Sequence, residues 1–184
     1  FVYVIITILF IGGSLIPAYC REDPGKTLSF SGGAGTPDDP YLISTVEDLV
    51  NFSEAGLYSE KEGAYYKLTE NIDLGENTWN PVGSYGPPFS GTFDGNGKTI
   101  ILRNVADGSH MGLFESTDRR SSIKNLTVNG QISKTISSEE EVCFGLIAAR
   151  VEGCIENCIT EGSVDLSVNG SGNFYFGGAA GRLG

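Results

Sequence analysis

The chain has 184 residues, enough for one domain with its own core. Its 12 Lys and Arg stand against 23 Asp and Glu, a formal net charge of −11, which argues against a nucleic-acid partner because phosphate binding needs clustered cations. An acidic surface of this kind mainly provides solubility and weak, screened repulsion.

Residues 1–20 contain no charged side chain, and Phe1 to Phe10 are almost wholly apolar. Gly12, Gly13 and Pro17 interrupt the run, and Ala18-Tyr19-Cys20 precede Arg21. An apolar stretch closing on small residues at −3 and −1 is the pattern of a secretory signal peptide whose basic start is missing. A membrane anchor is the alternative, since about 20 apolar residues span a bilayer; the early Gly and Pro favour cleavage. Opening on Phe1 and closing within a repeat, the chain reads as a fragment of a longer exported protein, its mature part not inserted stably in a membrane.

Residues 21–40, rich in Gly, Pro and Asp, read as an irregular opening segment. Tyr41-Leu42-Ile43 is a short strand. Ser44 or Thr45 offers a helix N-cap, with Glu47 three residues after Ser44 as a capping box. Val46, Leu49, Val50 and Leu57 then recur at helical spacing, which predicts a helix over about 46–55. Strands dominate from Ala64 onward: Tyr65–Leu68, Ile72–Leu74, and Phe89–Phe93 leading through Asp94-Gly95-Asn96-Gly97 into Lys98–Leu102.

A passage then occurs nearly twice, about 32 residues apart. Ile123-Lys124-Asn125-Leu126-Thr127-Val128-Asn129-Gly130-Gln131-Ile132 lines up with Ile155-Glu156-Asn157-Cys158-Ile159-Thr160-Glu161-Gly162-Ser163-Val164. Upstream of each copy lies a Gly-plus-apolar block, Met111-Gly112-Leu113-Phe114 and Phe144-Gly145-Leu146-Ile147, and Phe176-Gly177-Gly178 begins a third. Such self-similarity with strand-like content predicts an all-β solenoid of stacked coils, the helix before the first coil capping it. Phe114, Ile123, Leu126, Ile132, Leu146, Ile155, Cys158 and Val164 form the expected inward column. Matching residues stack about 4.8 Å apart, so Asn125 and Asn157 are expected to pass side-chain amide hydrogen bonds between coils. Gly130 and Gly162 are expected to mark the bend that follows.

No residue stands out as catalytic or cofactor-binding. Asp38-Asp39 and Glu139-Glu140-Glu141 are adjacent carboxylates in loops, where charge runs are solvated, and Asp94 suits a Gly-rich turn on conformational grounds alone. The acidic loops leave calcium open, without ordered ligand spacing. Cys143, Cys154 and Cys158 lack a zinc pattern and the one His, His110, reads as an exposed turn residue, so no metal is expected. Cys158 replaces Leu126 in the repeat and reads as an inward-facing thiol; free thiols are favoured over a disulfide among the three. Trp79, Tyr65, Tyr66 and Tyr85 read as core or end-capping aromatics, with a sugar-stacking surface as the alternative. Asn51, Asn125 and Asn169 begin N-glycosylation triplets, of which a ladder position excludes Asn125.

At these residues the chain resembles the GLUG-motif proteins, through the blocks at Gly112-Leu113-Phe114, Gly145-Leu146-Ile147 and Gly177-Gly178-Ala179. The resemblance extends to Gly33–Thr45, Tyr66–Leu74, Trp79–Gly83 and Phe89–Gly97, covering roughly residues 30–184. Glu115 and Ala148 stand where the motif commonly carries a second glycine. The resemblance implies a right-handed parallel β-helix on a secreted or cell-surface microbial protein, adhesin-like, with host or cell-surface glycans or proteins as partners. Similar regions occur in the non-catalytic part of some IgA-specific metallopeptidases, so an accessory region of a surface peptidase is one alternative. Parallel β-helices also include pectin-cleaving enzymes, which makes a carbohydrate-active enzyme the other.

Overall fold

The computed structural model describes residues 28–55, 63–83 and 87–184. The segment 1–20 expected to be a signal peptide, Leu57 and Tyr85 therefore lie outside the described residues. The chain forms β1 (Tyr41–Ile43), α1 (Val46–Ala55), β2 (Tyr65–Leu68) and β3 (Ile72–Asp73). A first coil follows with β4 (Thr92–Leu102), β5 (His110–Met111) and β6 (Phe114–Thr117). Coil 2 holds β7 (Ser122–Ser137), β8 (Val142–Gly145) and β9 (Ala148–Val151). Coil 3 holds β10 (Cys154–Glu156), β11 (Ile159–Asn169), β12 (Phe174–Gly177) and β13 (Ala180–Leu183).

Every pairing between these strands is parallel. One seven-stranded sheet runs β1-β2-β4-β7-β10, with β3 on β4 and β11 on β7; two three-stranded sheets run β12-β8-β5 and β13-β9-β6. The result is a β-solenoid of about three turns. A less regular turn enters it, pairing with coil 1 through isolated bridges at Trp79, Val82 and Phe89. Gly162 pairs with Gly130 and Val164 with Ile132, in the register that the repeat alignment implies.

The coils bend where the backbone needs a left-handed residue. Asn96, Asn125 and Asn157 have φ of 52°, 53° and 51°. Asparagine tolerates this region better than other side chains because its short amide bonds locally. The bend interrupts the period-2 alternation, so Ile123 and Leu126, three apart, are both buried. This corrects the place of the bend. Gly130 in β7 has no left-handed φ, whereas Gly162 in β11 has a φ of 110°, so at this position a left-handed residue follows the bend in coil 3 only. A β-carbon on Gly130 would lie 2.4 Å from Leu146 Cδ2, so this glycine makes room for a side chain from the corner between β8 and β9.

A second corner falls at the Gly-plus-apolar blocks. Its backbone is so tight that a β-carbon on Gly145 would sit 2.6 Å from Gly181 N. Met111 pairs with Phe144 on one side of this corner, and Phe114 with Ala148 on the other. Coil 2 thus has one extra residue here, and Ala148 matches Phe114 rather than Glu115. The corner absorbs the difference because Ile147 sits between strands.

Of the two N-cap candidates helix α1 uses Thr45, so the capping box lies one residue after the expected Ser44–Glu47 pair. Thr45 Oγ1 accepts from Asp48 N at 3.1 Å, and Asp48 Oδ2 accepts from Thr45 N at 3.1 Å. The box is Thr45 with Asp48; Glu47 is exposed. Asp48 also accepts from Ser44 N and Ser31 Oγ, at 2.9 and 2.7 Å. The buried helix face is Leu49, Phe52 and Ala55, whereas Val50 points outward. Phe52 seats among Tyr66, Phe93, Phe89 and Phe114 with ring centroids 4.5–5.8 Å apart, closing the apolar interior at its N-terminal side.

Two outcomes test this packing. Burial raises the Asp48 carboxyl, but the hydrogen bonds from Ser31, Ser44 and Thr45 outweigh it and hold the group below its ordinary value. Its stabilisation is therefore complete above about pH 3.9, the unfolded value, and is lost as pH falls through the lower folded value. Asp48→Asn should cost about 1–2 kcal/mol at neutral pH in urea unfolding, and the gap to wild type should close in acid. Leu126→Asp should abolish the cooperative melt followed by circular dichroism, while Glu140→Ala leaves it unchanged; equal melting curves would refute the register.

Candidate functional site

The features repeated from coil to coil are the inward column and the polar ladders beside it. Of the column, Phe114, Ile123, Leu126, Ile132 and Leu146 are buried. Ile155 and Cys158 are half-buried against the same cluster, and Val164 is 37% exposed. The three less buried residues all belong to coil 3, which has a neighbour on one side only among the described residues.

The asparagines sit at the bend, one above the other. Asn157 Nδ2 donates to Asn125 Oδ1 at 2.8 Å, and Asn125 Nδ2 donates to Asp94 Oδ1 at 3.0 Å. Asp94 thus ends the ladder and also accepts from Asn96 N at 2.8 Å, which is more than the turn conformation expected of it. Asn96 Nδ2 donates to Leu68 O, joining coil 1 to the turn before it. The Asp94-x-Asn96 spacing carried this signal, but three residues of coil 1 face one of coil 2 at this bend, which hid the match.

A second ladder runs along the outer surface. Arg103 Nη2 meets Asp73 Oδ2 at 2.7 Å, and Arg103 Nη1 donates to Gln131 Oε1. Gln131 in turn donates to Asn129, and Asn129 to Glu161. The Arg103 guanidinium holds the Asp73 carboxyl below its ordinary range. Exposed pairs like these add little stability singly.

A third group lies on β5, β8 and β12. His110 pairs in register with Cys143, and Cys143 with Tyr175. Met111 and Phe144, next along, are core residues, so the first three face away from the interior. Cys143 is nevertheless buried. Cys143 Sγ lies 3.8 Å from Glu141 Oε1, and Arg182 Nη1 contacts both Glu141 oxygens at 2.8 Å. The Arg182 guanidinium stands 5.3 Å from the Tyr175 ring centroid. Burial, then the charge of Glu141, push the Cys143 thiol up from its ordinary value. His110 is a half-buried strand residue rather than an exposed turn residue, with Nδ1 at 3.6 Å from Glu115 Oε1. Its Nε2 is buried and makes no hydrogen bond.

The remaining candidates do not converge. Asp38 and Asp39 are exposed, with Asp39 N donating to Thr36 Oγ1 in a local turn, while Glu139 accepts from Ser171, so the second acidic run is more than solvated loop. Cys143, Cys154 and Cys158 are free thiols, of which Cys154 is exposed. Trp79 and Tyr66 are core residues, and Trp79 Nε1 donates to Leu113 O at 2.9 Å; Tyr65 is half-buried. Asn51 is buried and donates to Ser29 O, leaving Asn169 the exposed member of the glycosylation triplets. Among the described residues no helix is long and apolar enough to cross a membrane.

The ladder separates into backbone and side-chain parts by substitution. Asn125→Ala should cost about 2–3 kcal/mol, combining the left-handed backbone with the lost amide bonds. Asn125→Gly relieves the backbone and should cost about 1 kcal/mol less; urea unfolding of both variants checks the difference.

Two curated relatives share this sequence. Halomucin of Haloquadratum walsbyi is 30% identical over 204 aligned positions, which take in 92% of this chain and 2% of that protein. A protein of Evansella cellulosilytica described as a Gly-rich membrane protein is 31% identical over 140 positions, taking in 72% of this chain and 16% of its own length. The chain thus spans a small part of each. No family model and no solved structure matches it.

Proposed function

We propose that the chain is a non-catalytic structural module of a secreted or cell-surface protein, the capped start of a β-solenoid stalk of the GLUG-motif kind. The observation that carries this reading is the in-register column, in which Ile155 lies on Ile123 and Val164 on Ile132. Stacking of like on like makes a rod whose stiffness comes from nearest-neighbour coil contacts. The helix-borne Phe52 closes one end of the apolar interior, which suits a module that begins a stalk. The Gly-plus-apolar blocks at the tight corner support the GLUG assignment. The names of the two relatives, a halomucin and a Gly-rich membrane protein, support a place at the cell envelope. The outer faces, lined by charged and amide ladders, are the surfaces on which host or cell-surface glycans or proteins would dock.

Antibodies against residues 41–184 should label intact cells of the source organism, and the purified protein should release no new reducing ends from plant or host polysaccharides. Labelling only after lysis would overturn the surface assignment. New reducing ends or unsaturated products would replace the structural reading with a carbohydrate-active one.

A further inference from the structure

Where coil 1 passes to coil 2, three side chains of different ligand chemistry meet on the outer side of the short sheet. A ring nitrogen of His110, a carboxylate oxygen of Glu141 and Sγ of Cys143 all lie within 4.8 Å of one another. Among the described residues this is the one group of three or more His, Cys, Asp or Glu so placed. Ligands around a tetrahedral zinc ion, at about 2.3 Å for sulfur and about 2.0–2.2 Å for nitrogen or oxygen, stand about 3.5 Å apart. The sulfur-to-carboxylate distance of 3.8 Å is close to that.

The hydrogen-bond pattern points the same way. Arg182 accounts for the position of Glu141, and a carboxylate has lone pairs enough to serve an arginine and a cation together. Glu115 Oε1 stands 3.6 Å from Nδ1 of His110, near enough to face it though beyond hydrogen-bond length. No protein group accounts for Nε2, which is buried and unpartnered. A histidine whose one nitrogen faces a carboxylate while the other is left open is the arrangement of a metal ligand with its outer support. His110 and Glu141 keep side-chain exposures of 21% and 34% beside the buried sulfur and the buried Nε2.

We propose that His110 Nε2, Glu141 and Cys143 Sγ bind a borderline-soft divalent cation of the zinc type, with a fourth position open to water and Glu115 as a positioning residue. A mixed nitrogen, sulfur and oxygen set suits zinc and disfavours calcium and magnesium, which take oxygen. On binding, the Cys143 thiol gives its proton to solvent and the thiolate forms the sulfur–metal bond. Because His110 belongs to coil 1 and the other two ligands to coil 2, the ion staples successive coils together from outside. The site departs from the sequence expectation of no metal, which rested on motif spacing; parallel stacking brings His110 beside Cys143 without any such spacing.

The test is titration of the chelator-treated, reduced full chain with Co²⁺, a spectroscopic stand-in for zinc. One ion per chain should bind with a near-ultraviolet sulfur-to-cobalt charge-transfer band. Cys143→Ser and His110→Gln should each abolish that band, Cys154→Ser should keep it, and Glu115→Gln should weaken affinity about tenfold or more. Zn²⁺ should displace the cobalt and raise the Tm of wild type but not of His110→Gln. Circular dichroism of the metal-free variants confirms folding; should Cys143→Ser fail to fold, His110→Gln and Glu141→Gln decide. Absence of the band, or its loss in Cys154→Ser with retention in Cys143→Ser, overturns the proposal.

Discussion

A chain that stacks parallel coils must turn at nearly the same place on every level, because one early or late bend would move the next strand's apolar set to the outside. Here that constraint is met by left-handed backbone at Asn96, Asn125 and Asn157. The same side chain that tolerates the conformation also bonds to the coil beside it. Bend and ladder are therefore one device. With the bend fixed, Ile123 and Leu126 both face inward, and the long sheet and the two short sheets can share a core.

Among the described residues the first and last levels of the solenoid are built differently. At the N-terminal side Phe52 fills the space among four aromatic rings, and Asp48 fastens the helix to the segments that flank it. Coil 3 instead shows Ile159, Val164, Phe176 and Leu183 to solvent, at 37–74% exposure. Among the described residues coil 2 is covered on both sides and coil 3 on one.

Much of the fold was legible in the sequence because a repeat states its own register. The pairing of Ile123 with Ile155 and of Ile132 with Val164 follows from aligning the two copies. The place of the bend was less legible, since glycine is the usual mark of a left-handed residue and Gly130 drew attention away from Asn125. The cap was displaced by one residue because Ser44 and Thr45 both suit the role; only packing shows that Asp48, not Glu47, turns inward. The His110, Glu141 and Cys143 group was missed for a different reason. His110 and Cys143 stand one residue before the aligned blocks Met111-Gly112 and Phe144-Gly145, so the repeat register places them side by side, but a zinc pattern is read from ligand spacing along the chain and not from register between coils.

The extra residue at the second corner of coil 2 carries a consequence for how such genes change. Successive coils touch through backbone donors and acceptors that any residue supplies, while differences in length are taken up at corners. An unequal crossover that duplicates or deletes the DNA of one coil would therefore leave each neighbouring pair with a compatible partner. The length of the finished rod is then a heritable variable that selection can adjust one coil at a time, without remaking the core.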